Sequence, residues 1–265
     1  MILPIVEMGA VLKNAIPKNP DSEVARHEVG AYRPSNDVDI NVRFLSPADI
    51  PSVLELEHRK WGSEQRADAS MLASRIASFP ALSIGAFCVR TGTALASLFM
   101  KPARHDVIRQ CPTWEDCARK QHGDESAKTG VLFGISLSSV DSKATQEIFE
   151  FFWPHALKTG WSEVYLGSPV PGLRNWISKN PDSPVAQYVR SEHKGLPLDP
   201  QLRYYFKKGF RKIVAIRDNY FPHEPSLDFG VLIIGKVPLS SLSFVWKRVP
   251  LPWLQRMKKL FFVCL

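Results

Sequence analysis

The stretch Asp199–Phe210, DPQLRYYFKKGF, carries a start and a stop for one short helix. Asp-Pro supplies a capping side chain and a residue preset for the first turn, and Gly209 supplies the stop. Neighbours on a helix are rotated by about 100°, so Tyr204 and Tyr205 face different ways. Upstream, WSEVYLGSPVPG (161–172) is an apolar run with a Pro-Gly exit, which predicts a strand, and SPVAQYVRSEHKG (183–195) predicts a short helix. Downstream, RKIVAIRDNY (211–220) and DFGVLIIGKV (228–237) predict a closing strand pair.

The pattern extends toward the N-terminus. VRFLSPADI (42–50) alternates as a strand and then meets a helix-start signal; the helix continues through Trp61. DASMLASRIASFP (68–80) places Met71, Leu72 and Ile76 on one side of a second helix. LSIGAFCVRTGTALASLFMKPA (82–103) is a hairpin around a short Gly turn. The polar connection 106–130 has room for at most one short helix. VLFGISL (131–137) is a buried strand, and ATQEIFEFFWPHALKTG (144–160) is a helix with a bulky apolar face and a Gly stop. The order β-α-α-β-β-β-α-β-α-β-β predicts an α/β protein built on one mixed, mostly antiparallel twisted sheet flanked by helices.

Composition narrows the function classes. The chain has 265 residues and a net charge of +8. Its last segment holds Lys247, Arg248, Arg256, Lys258 and Lys259 with no acid, so the rest is close to balanced and a nucleic-acid-binding face is not expected. Cys88, Cys111, Cys117 and Cys264 lack paired metal-ligand spacing, so reduced thiols and no metal are expected. MILPIVEMGAVLKNAIP has no basic start and carries Glu7 within its apolar run, so neither a signal peptide nor a membrane span is expected there. The expected location is the cytoplasm. Three regions are expected: an N-terminal extension (1–40), a main domain (41–238) with an insert (168–198), and a basic aromatic tail (239–265). The tail's interleaved aromatics and bases leave docking on the domain, a homodimer contact and a membrane-surface contact as alternatives.

These residues resemble the GNAT acyl-coenzyme A transferase family. VRFLSPADIPSVLEL looks like its opening strand and helix, GVLFGISLSS with the following helix like its central strand and cofactor helix, and LRYYFKKGFRKI like its last helix. The whole run from GSPVPGL to FGVLI is similar to a bacterial branch with an insert before the last helix. The family usually opens the cofactor helix with a Gly-rich loop; SLSSVDSKATQEIF has no glycine there. The resemblance implies acetyl-CoA or another acyl-CoA as co-substrate and transfer of a short acyl group to a small-molecule amine. Two alternatives stand beside it: transfer to or from the phosphopantetheine arm of a carrier protein, and a non-catalytic binding module.

Acyl transfer to an amine needs a neutral amine, a polarised carbonyl and a protonated leaving thiolate. The resemblance places the polarising backbone donors at Gly134, Ile135, Ser136 and Leu137. It places the phosphate cradle around Ser139, Ser142, Lys143, Ala144 and Thr145, where Asp141 opposes the charge of Lys143 unless it serves as the N-cap and points away. The acid at the sulfur is the Tyr four residues before Gly209, which is Tyr205; Tyr204 is left as packing. Base candidates are Glu57 and His58, with His155, Glu163, Ser168 and His193 behind them. Trp61, Ser168, Arg174 and Trp176 are the expected acceptor contacts.

Overall fold

The computed structural model describes residues 39–61, 66–119 and 129–258. Most of the expected N-terminal extension and the tail end with Cys264 lie outside the described residues. The main elements follow the expected order: β1 (Ile40–Phe44), α1 (Ile50–Lys60), α2 (Ala69–Ser78), β2 (Ser83–Cys88) and β3 (Ala94–Pro102). The polar connection forms two short helices, α3 (His105–Gln110) and α4 (Trp114–Arg119), where at most one was expected. Each buries apolar side chains of its own, Ile108 on α3 and Cys117 on α4, so packing outweighs the polar composition. The chain continues with β4 (Val131–Ser139), α5 (Ser142–Thr159) and β5 (Glu163–Pro169). The insert holds α6 (Leu173–Ile177), α7 (Val185–Arg190) and a two-residue ladder of β6 (Glu192–His193) with β7 (Leu196–Pro197). Then come α8 (Pro200–Phe206), β8 (Lys212–Arg217), β9 (Gly230–Lys236), α9 (Ser243–Trp246) and α10 (Leu251–Arg256).

Seven strands form one sheet in the order β1-β2-β3-β4-β5-β9-β8. Every neighbouring pair is antiparallel except β4 with β5, which is parallel. A parallel pair needs a crossover, and α5 supplies it. Two apolar cores form, one per sheet face. Val53 and Leu56 of α1, Leu72 and Ile76 of α2, and Ile108 pack one face with Phe133 and Ile135. Ile148, Phe152 and Trp153 of α5, with Leu202 and Tyr205 of α8, pack the other with Leu137 and Leu166. The expected hairpin is present as β2–β3, turning through Gly92 at φ +70°.

The tail docks on α5. Lys158 Nζ donates to the carbonyls of Lys247 (2.7 Å) and Val249 (3.0 Å), Leu254 is fully buried, and Lys258 pairs with Glu150 at 3.0 Å. Among the described residues no helix is long and apolar enough to cross a membrane.

The entry to α1 is fixed by an ion pair. Arg43 donates twice to Asp49, at 2.6 and 2.5 Å, and the Ser46 amide and hydroxyl donate to the same carboxylate at 2.8 and 2.9 Å. The Arg43 hydrogen bond is the main cause that holds the Asp49 pKa down to about 2. An unfolded Asp titrates near 3.9, so this contribution is complete above about pH 4 and fades as pH falls toward 2. Asp49→Asn is expected to cost about 1–2 kcal/mol at neutral pH, a value kept modest because Arg43 is half exposed. Urea unfolding across pH 2–7 checks it; a mutant that loses stability in parallel with wild type below pH 4 would rule the pair out.

Candidate active site

The site begins where two strands part. β4 pairs with β5 only from Val131 to Gly134, opposite Glu163 to Leu166. Beyond this point β5 stays paired with β9 to Pro169, while β4 stays paired with β3 to Ser139. On the β3 side, Phe99 faces Ser136 and Met100 faces Gly134, which leaves Ile135 as an extra residue. A bulge of this kind bends a strand and re-aims its groups. The expected donor segment Gly134–Leu137 therefore straddles the bulge at the end of the β4–β5 pairing. The Ile135 carbonyl accepts a hydrogen bond from Trp114 Nε1 at 3.2 Å, so α4 covers this point on one face.

β4 runs directly into the first turn of α5. Asp141 is the N-cap, and its carboxylate accepts from the Ala144 amide at 2.9 Å, as the sequence suggested. Thr145 Oγ1 donates to Ser139 Oγ (2.8 Å), and Ser139 Oγ donates to the Asp141 carbonyl (2.7 Å). Ser139, Ala144 and Thr145 are thus buried, whereas Ser142 and Lys143 are exposed at the helix start. A glycine-free loop closes here by hydroxyl staples.

α8 starts on Asp199 and Pro200, and the chain turns at Gly209, φ +91°. Tyr205 enters the core, 1% exposed, with its ring edge-on to Phe210 at 6.0 Å. Neither its hydroxyl nor the Gln201 amide nitrogen one turn earlier has a partner in good hydrogen-bond geometry, and the Gln201 side chain interacts with the hydroxyl only weakly, pulling its pKa down against burial. Burial raises the Tyr205 pKa well above the ordinary phenol value. Tyr204 turns toward the start of α5: burial raises its pKa, and a hydrogen bond with Thr145 pulls the other way. The tyrosine that spacing left as packing thus lies near Thr145 of the expected phosphate cradle.

On the opposite face, α1 brings two expected residues together. Trp61 Nε1 donates to Ser138 Oγ at 2.8 Å, and the Ser138 hydroxyl donates to Glu57. The Ala67 amide donates to the other Glu57 oxygen at 3.3 Å. Glu57 is 2% exposed, so these donors hold a buried carboxylate beside the unpaired end of β4. His58, one residue on, is exposed and does not join them. Arg75 of α2 does join, with Nη1 3.4 Å from Ser136 Oγ. Sequence reasoning missed Arg75, because one Arg on an amphipathic helix reads as surface.

The remaining expected residues sit apart from this cluster. Ser168 is fully buried and donates to the Pro169 carbonyl at 2.9 Å. Arg174 is exposed and binds Glu224, through its carbonyl (Nη2, 2.8 Å) and as an ion pair (2.8 Å), which ties the insert to the β8–β9 connection. Trp176 packs on Tyr188, centroids 5.3 Å apart. Glu163 pairs with His105 at 3.2 Å at the other end of β5, beside an open hollow of about 680 Å³. That hollow is large, but it lies away from the parting strands, so size does not select the site. His155 Nδ1 lies 2.7 Å from the Phe151 carbonyl, and His193 is exposed on the small ladder.

A parallel β4–β5 pair that parts at a bulge, with a helix starting where β4 ends and β9 inserted between β5 and β8, defines a GNAT fold. Solved structures agree. The chain is similar to the GphF GNAT-like decarboxylase in complex with isobutyryl-CoA, with a TM-score of 0.62 and 19% identity over 74% of this chain and 99% of that one. It is similar to the loading GNATL domain of CurA from Lyngbya majuscula, with a TM-score of 0.63 and 17% identity over 75% of this chain and 98% of that one. No protein-family profile and no curated protein sequence matches the chain.

Proposed function

We propose that this protein is an acyltransferase that moves a short acyl group, acetyl in the simplest case, from acyl-CoA to an amine. The parting of β4 and β5 at the Ile135 bulge carries this reading, because beyond Gly134 the side of β4 that faced β5 has no strand ladder and lies between two faces with different chemistry. Acyl-CoA would supply the activated thioester. The amides of Gly134–Leu137 polarise its carbonyl. Tyr205, whose buried hydroxyl has no partner in good geometry and only a weak interaction with Gln201, donates its proton to the departing sulfur. Glu57, held by Ser138 on the far face, accepts the amine's proton directly or through Ser138. The first turn of α5 and Lys143 face the phosphates. The void beside Leu137, Leu166 and Phe210 is about 10 Å³, so the thioester arm needs α8 to yield, and the Tyr204–Thr145 contact is the latch nearest to hand.

Incubation with acetyl-CoA and an amine panel, read by product mass, is expected to give acylated amine and free CoA. A thermal-shift titration is expected to show stabilisation by acetyl-CoA. Absence of both at millimolar ligand would overturn the reading in favour of a non-catalytic module. A second acceptor, the phosphopantetheine arm of a carrier protein, is favoured by the likeness to a loading GNATL domain. Product mass on a carrier protein separates the two.

A further inference from the structure

A cavity of about 370 Å³ lies between α2 and α4, on the Glu57 face of the sheet. One of its walls is Ile135, the bulge residue, so the cavity abuts the point where β4 leaves β5. Ser70, Ser74 and Ser78 line it from α2 at four-residue spacing, one face of the helix. Three cations line it, Arg75, Lys101 and Arg119, the last paired with Glu115. Lys101 is 2% exposed and donates to the Ala118 carbonyl at 2.9 Å. The Arg75 guanidinium lies 5.5 Å from the centre of the Phe99 ring, and its contact with Ser136 is a long one.

Arg75 forms no ion pair with any described residue. Glu57 and Asp68 act on it only at longer range, and the Glu57 carboxylate is already held by Ser138 and Ala67. At the mouth, Glu115 is paired with Arg119 and is not available to it. Arg75 is half-buried on the cavity wall, where burial lowers its pKa and the more distant Glu57 and Asp68 partly offset that. Such a group is costly unless an anion joins it. A planar guanidinium fork matches a carboxylate bidentately, and row hydroxyls add donors.

We propose that this cavity is a carboxylate-binding subsite in which Arg75 seats the carboxylate of the acceptor while its amine lies at the Ile135 bulge. The acceptor half of this statement rests on the acyl-transfer reading above; the binding half does not. Arg75 at the cavity wall disfavours a cationic acceptor tail, and the serine row disfavours a purely apolar one. The substrate class is then an amino acid or a similar amino-carboxylate.

The test begins without acyl-CoA. Succinate is the probe and its diamide the control, followed by the indole N–H resonance of Trp114, which lines the cavity. Succinate is expected to bind saturably and the diamide not to; Arg75→Gln is expected to weaken succinate about tenfold or more, the loss of one charge-assisted pair. Equal binding of succinate and diamide, or an unchanged Kd in Arg75→Gln, would overturn the subsite. Should that variant fold poorly, Arg75→Lys keeps the charge without the fork and is expected to bind less tightly than wild type; an equal Kd counts against the proposal. Turnover then separates donor from acceptor. With acetyl-CoA, Arg75→Gln is expected to raise KM for an amino-carboxylate about tenfold while leaving KM for its amide unchanged. A defect confined to dicarboxylic acyl-CoA donors would move the carboxylate to the donor and refute the acceptor assignment. Succinate binding with no transfer from any acyl-CoA would uphold the subsite and sink the enzymatic reading.

Discussion

Replacing Asp199 with alanine is expected to cost about 3 kcal/mol of folding stability, the sum of a lost helix cap and several orphaned buried donors. The carboxylate is 1% exposed and accepts four hydrogen bonds. One oxygen takes the Gln201 and Leu202 amides at 2.9 and 3.1 Å and so starts α8. The other takes the Gly172 amide at 3.1 Å and the Tyr188 hydroxyl at 2.8 Å. A single side chain thus joins the helix that carries both tyrosines to the two helices of the insert. Burial pushes its pKa up, and the four donors pull it back down. Alanine would leave the Tyr188 hydroxyl and three amides without this acceptor in a site closed to water. Asparagine keeps one oxygen but turns an amide NH₂ toward two donors, so it is expected to lose nearly as much. The neighbouring glycine belongs to the same lock, since a Cβ on Gly172 would lie 2.1 Å from the Tyr188 hydroxyl. Urea unfolding measures the effect. A change below about 0.5 kcal/mol in both variants would show that water replaces the carboxylate, contrary to its burial.

Local signals were legible where one short stretch contains all the physics. The Asp-Pro start and Gly stop of α8, the Gly92 turn of the β2–β3 hairpin and the Asp141 cap of α5 are of this kind. The strand order around β5 is not, because β9 inserts between β5 and β8 through pairing that no local pattern records. The bulge was legible in part: Gly134 inside the apolar run VLFGISL is consistent with a bulge or a close ligand approach, and the extra residue falls beside it at Ile135. Glu57 and Trp61 were each visible as candidates, but their meeting on Ser138 depends on the seating of α1 against β4. Arg75 was invisible for a related reason. Its place on a cavity wall, with no ion pair to a described residue, is a property of the fold, and a helical arginine in sequence looks solvated. Tyr204 and Tyr205 show the limit of spacing. Helical geometry separated them correctly, yet it could not say that Tyr204 would meet Thr145.

Tyr205→Phe is expected to lower kcat about 100-fold, the usual scale for losing a positioned acid, while leaving folding stability within about 0.5 kcal/mol of wild type. The two halves come from one observation. The hydroxyl is fully buried and interacts only weakly with the Gln201 side chain, outside good hydrogen-bond geometry, so its removal costs little in the free protein and relieves a desolvated group. The ring remains to pack on Phe210. A purely structural tyrosine would therefore tolerate phenylalanine in both assays, and a fall in rate without a fall in stability isolates the proton. Burial raises the Tyr205 pKa well above the ordinary phenol value, so the hydroxyl keeps its proton through the working range and no alkaline fall in kcat below about pH 10 should trace to it. Tyr204→Phe is the matched control. It breaks the contact with Thr145 at the start of α5, so its effect should fall on KM for acyl-CoA, with kcat nearly preserved. If instead Tyr204→Phe lost kcat and Tyr205→Phe did not, the acid would be the tyrosine that faces the cofactor helix, and the spacing rule from Gly209 would have chosen the wrong member of the pair.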